Sequence, residues 1–125
     1  MSETALADDA FDRALERLRP VAVAHGLRLS LLERPARPGE HGFAEYAGPA
    51  LRLRLVWEAT ARALWVETAR AQGAEVVSRW TDVEWALAGE RLPLDLDLGP
   101  ERIERLARSV DAFLAEAVRP TRPRP

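Results

Sequence analysis

Cysteine, lysine and asparagine are absent from this chain, and isoleucine occurs once, at position 103. The missing cysteine removes disulfides, thiolate catalysis and every Cys-based zinc site, so a reducing compartment is sufficient. Without lysine, all 18 basic residues are arginines. Alongside abundant alanine and proline this tracks GC-rich codons and points to a bacterial genome of high GC content, in which an arginine is partly a default cation rather than one chosen for bidentate recognition. Also missing is any run approaching the ~20 apolar residues of a membrane span. The opening MSETALADDAFDRALERL sets acids where a secretory signal carries a basic start and an apolar core. Formal charge is −2 with both signs interspersed, so no one-signed field selects nucleic acid or anionic lipid. The expected setting is cytoplasmic, with neither nucleic acid nor membrane as partner.

The common catalytic signatures are missing as well. Serines 2, 30, 78 and 109 sit in no Gly-x-Ser-x-Gly turn, and no glycine-rich phosphate loop occurs. Of the two histidines, His25 falls at a helix end, where the dipole favours a cation. His41 lies in a loop between Glu40 and Glu45 with no nucleophile nearby, so it reads as a solvated loop histidine. Asp95 and Asp97 form a D-x-D spacing without the further oxygen ligands of a calcium loop, which makes a solvated strand edge the better reading. Tyr46 reads as a surface strand end. No catalytic residue, metal or cofactor is expected, and an enzyme is the less favoured class.

At this length the chain fits one domain, expected over residues 1–118, burying roughly 65–70% of its unfolded surface. Residues 119–125, RPTRPRP, have no apolar face and read as a disordered Arg/Pro tail. Ala7, Phe11, Ala14, Leu15 and Leu18 recur at helical spacing, predicting a helix to about His25 that kinks or restarts at Pro20 and is capped by Gly26. LRLSLLER (27–34) alternates like a half-buried strand, with Leu27, Leu29 and Leu31 on one side. PARPGEHG (35–42) is a loop, and 43–49 is extended with undetermined pairing. Pro100 to Val118 is the clearest helix, with Ile103, Leu106, Val110 and Leu114 in one stripe.

Between them lies LRLRLVWEATARALWVETA (51–69), whose alternation fixes a hairpin register. A turn centred on Thr60 and Ala61 sets Trp57 opposite Leu64 and Leu55 opposite Val66 on the core face. The same register sets Val56 opposite Trp65 and Arg54 opposite Glu67 on the outer face. A three-residue loop at AQG (71–73) would then bring Trp80 opposite Leu64 inside and Arg79 opposite Trp65 outside. Beyond a bulge near Thr81-Asp82, Val83, Trp85 and Leu87 continue as a strand, and LPLDLDL (92–98) alternates as a short or edge strand.

The expected fold is α+β: an N-terminal helix, an antiparallel meander of four or five strands, and a C-terminal helix, both helices on one sheet face. By element order alone, this architecture resembles secretion chaperones and bacterial immunity proteins, small modules that bind another protein. The resemblance implies a non-enzymatic protein that binds a protein partner or itself through the outer face, around Trp65, Arg54, Glu67, Arg79 and Val56. The alternative is a small-molecule pocket between sheet and helices near Trp57, Trp80 and Trp85.

Overall fold

A computed structural model describes residues 3–37 and 39–117, with side chains described from Ala10 onward; the tail expected at 119–125 lies outside the described residues. The elements run α1 (Glu3–Ala24), β1 (Arg28–Glu33), β2 (Gly42–Ala47), β3 (Leu51–Glu58), β4 (Ala63–Gln72), β5 (Glu75–Val76), β6 (Thr81–Asp82), α2 (Val83–Ala88) and α3 (Pro100–Ala117). Strands β1 to β5 pair antiparallel in chain order, and β6 pairs with β4 nearer that strand's start, at Glu67 and Thr68. The fold is thus the α+β arrangement that the patterning requires.

One buried cluster unites both long helices with one face of the sheet. Phe11, Ala14 and Leu18 of α1 and Leu106, Val110 and Leu114 of α3 meet Tyr46, Leu53, Leu55, Trp57, Leu64 and Val66 of β2 to β4. Arg17 to Glu104 (2.8 Å) and His25 to Asp111 (2.7 Å) tie α1 to α3 in ascending order, so these helices run parallel. Pro20 is carried inside α1, at an exposed position. The helix ends in a Schellman motif: Gly26, at φ +82°, donates to Val23 O, and Leu27 donates to Ala22 O.

The β3–β4 hairpin has the register read from the alternation, including Trp57 opposite Leu64, Val56 opposite Trp65 and Arg54 opposite Glu67. Segment 43–49 supplies β2, which lies between β1 and β3, and Pro49 sits in the turn where no ladder donor is needed.

Four expectations are corrected. The parity of β1 breaks at Ser30, an extra residue between Leu29, opposite Tyr46, and Leu31, opposite Glu45; Leu31 therefore faces outward and Leu32 inward. The β4–β5 turn holds two residues, Gly73 and Ala74, because Gln72 pairs with Glu75 and Ala71 with Val76. The shifted register then yields to an excursion at 78–80 before Thr81 pairs with Thr68, so Trp80 reaches the outer face and Arg79 does not pair with Trp65. Residues 83–88 form a helix, not a strand. Asp82 caps it by accepting from the amides of Glu84 and Trp85, and Gly89 ends it at φ +75°. Finally, 92–98 forms no strand; Asp97 instead accepts from the Gly99 amide at the entrance to α3.

Candidate functional site

Alternation along β2, β3 and β4 builds the face that the long helices leave open. One cross-strand row is apolar, Phe43–Val56–Trp65, and the next is charged, Glu45–Arg54–Glu67. Arg54 is the hub. Its Nη2 lies 3.5 Å from Glu45 Oε1 and its Nη1 lies 3.7 Å from Glu67 Oε1. The guanidinium carbon is 5.3 Å from the ring centroid of Phe43 and 4.1 Å from that of Trp80. Glu67 is engaged on its other side as well, accepting from Trp65 Nε1 at 3.4 Å. Aromatic rings and carboxylates thus surround one half-buried cation, an arrangement in which each contact strengthens as the others exclude water.

At the end of this face Trp65 is half-buried and borders a cleft of about 320 Å³ shared with Trp85 of α2, Leu92 to Asp95, and Arg102 and Arg105 of α3. Arg102 is buried. Its Nη2 donates to Leu64 O at 3.0 Å, and Nη1 pairs with Glu84 at 2.7 Å. Asp95 completes the anchor by pairing with Arg102 and Arg105. The Asp82 carboxyl, beside this cleft, is pushed up from the usual aspartate range, chiefly by burial.

Of the residues expected to bind a partner, Trp65, Val56, Arg54 and Glu67 stand together. Arg79 does not; it borders a separate hollow with Thr68, Arg70, Phe113 and Ala117. The three tryptophans assigned to a pocket do not converge. Trp57 is packed in the core, Trp80 lies over Arg54, and Trp85 sits on α2 beneath Arg91. Tyr46 is buried in the core rather than at a surface strand end, with its hydroxyl pKa raised by burial. His41 Nδ1 accepts from the Ala59 amide at 3.0 Å and supports the β3–β4 turn. Among the described residues no group of three or more His, Cys, Asp or Glu is placed to hold a metal ion, and no helix is long and apolar enough to cross a membrane.

Sequence reasoning missed Arg102 and Phe43. Arg102 had a signal: it falls four residues before Leu106, on the apolar stripe of α3, where a charge needs buried partners. Phe43 had none until β2 was paired.

An α+β domain with a polar and aromatic cluster on its open sheet face is the class that these observations define. No protein family matches the chain, and comparisons with curated proteins and with solved structures find no match either.

Proposed function

We propose that this chain is a non-enzymatic binding protein that engages a different protein through the open sheet face, with Trp65, Val56, Arg54 and Glu67 at the centre of the contact. The observation that carries this reading is the pairing of rows: an apolar row ending in a half-buried tryptophan beside a charged row centred on an arginine. Tryptophan and arginine beside an apolar strip are the side chains from which interfaces draw most of their binding energy.

A different protein fits better than a second copy. The open face is hollowed beside the charged row, where residues of β1 and of the β4–β5 turn border one groove. An isologous contact needs this one hollowed face to be complementary to itself, a constraint that a different chain does not carry.

The test pairs solution mass with a surface variant. Light scattering across a hundredfold concentration range is expected to give a monomer, and concentration-dependent dimerisation overturns the choice of a different protein. Cross-linking from a photoreactive residue at position 56 is expected to capture one dominant protein. That capture should disappear in Trp65→Ser, provided circular dichroism shows the variant folded, and persist in Glu116→Ala at the other side of the molecule. Equal capture by folded Trp65→Ser removes the reading.

A further inference from the structure

Beyond the Arg54 cluster, the groove on the open face has a volume of about 680 Å³ and lies between β1, the β2–β3 turn and the β4–β5 turn. Its chemistry follows from a single cross-strand row: Arg28 pairs with Ala47, and Ala47 with Arg52. Two strand spacings set the arginine Cα atoms about 10 Å apart, with only a methyl group between them.

Neither arginine has a carboxylate within ion-pairing distance among the described residues. Arg28 is exposed. Arg52 is buried, and backbone carbonyls alone hold it: Nη1 donates to Gly48 O and Leu51 O, and Nη2 to Gly73 O. Carbonyl dipoles orient a guanidinium without cancelling its charge. Arg102, also buried, has Glu84 and Asp95 as counter-ions. The three carbonyl bonds use three of the five guanidinium N–H groups of Arg52, and among the described residues none accepts from its Nε–H or its second Nη2–H. One carboxylate, Glu45, borders the same groove, and Arg54 engages it at 3.5 Å. Leu31, Ala47, Pro49 and Ala74 supply the apolar part of the remaining wall, beside Ser30 and glycine backbone.

We infer that this groove is a binding site for a small organic monocarboxylate, the carboxylate held between Arg28 and Arg52 and a short apolar tail lying against Leu31 and Pro49. A planar guanidinium matches a planar carboxylate through paired hydrogen bonds. With the Arg54 cluster included, Arg28, Arg52 and Arg54 stand against Glu45 and Glu67 and leave a single surplus positive charge, which suits a monoanion better than a phosphate dianion. The volume falls within the range of small-ligand sites, about 300–1,000 Å³. The site stands on a different row from Trp65, so it does not depend on the partner reading.

The test uses the full chain and sodium butyrate, titrated at constant ionic strength in ¹H–¹⁵N spectra with sodium chloride as the control. Saturable shifts are expected at the Gly48 and Gly73 amides and at the Nε–H groups of Arg28 and Arg52, with none in chloride. Arg28→Gln, which removes an exposed side chain, is expected to weaken butyrate binding about tenfold, the usual effect of losing a charge-assisted pair. Four results overturn the site: no saturable shift, shifts that chloride reproduces, unchanged affinity in Arg28→Gln, or inorganic phosphate binding more tightly than butyrate. Trp65→Ser should leave the butyrate response intact, which separates failure here from failure of the partner reading.

Discussion

The guanidinium carbon of Arg54 stands 4.1 Å from the ring centroid of Trp80, although 26 positions of sequence separate the two residues. The 78–80 excursion makes the contact by bringing the indole onto the open face rather than into the core. A double-mutant cycle on Arg54→Met and Trp80→Leu should give a coupling of about 0.5–2 kcal/mol, the range for a cation over an aromatic face. Additive single effects in urea denaturation would mean that the ring and the cation are neighbours without interacting.

Leu106→Ala removes a side chain that is 1% exposed at the centre of the α3 stripe. It should cost about 2–5 kcal/mol, the transfer and cavity terms together. Leu96→Ala, at 59% exposure, is the matched control and should stay within about 0.5 kcal/mol of wild type. If the two losses are similar, α3 is not docked on the sheet as described.

Arg52 joins the β2–β3 and β4–β5 turns through their carbonyls. Replacing it by glutamine leaves those oxygens with fewer donors in a half-closed setting, and the expected loss is about 1–3 kcal/mol. Chemical denaturation measures it, and a loss below about 0.5 kcal/mol would show that water replaces the guanidinium without cost.

Glu104 is held below the usual glutamate range by its hydrogen bond from Arg17, which also raises the pKa of Arg17. In the interval between the depressed and ordinary values, the folded state binds fewer protons than the unfolded one. The pair therefore contributes stability that is fully present above about pH 4.3 and is lost as pH falls through the folded value. The difference in urea midpoint between wild type and Glu104→Gln should be visible near neutral pH and should close once pH has fallen through the folded value. A difference that survives in acid would assign it to helix propensity rather than charge.

Much of the fold was legible because one residue pattern excluded its competitors. In β3 and β4 a slip of one position would have set Leu53 against Glu67, and the observed register is the one that avoids it. Gly26 likewise marked its own helix end. The misreadings arose where two signals competed. Val83, Trp85 and Leu87 alternate as a strand would, yet Asp82 and Gly89 bracket them as helix caps, and the caps decide a segment of six residues. LPLDLDL alternates too, but an alternating segment becomes a strand only beside a free ladder, and β5 and β6 already pair with β4. At the candidate site, Trp65, Val56, Arg54 and Glu67 were recoverable because one hairpin holds them. Trp80, Arg52 and Phe43 were not: their roles depend on a turn one residue shorter than expected and on a β2 pairing that local pattern does not encode.

The extra residue at Ser30 reaches beyond the geometry of one strand pair. β1 is the sheet's margin, and RLSLLE, with Leu29 and Leu31 both exposed, would otherwise offer a straight, sticky template to neighbouring molecules. The kink interrupts the run of outward amides and carbonyls, so end-to-end stacking of sheets into fibrillar aggregates loses its seed. The Ser30 hydroxyl holds the kink against β2 by donating to the Glu45 carbonyl.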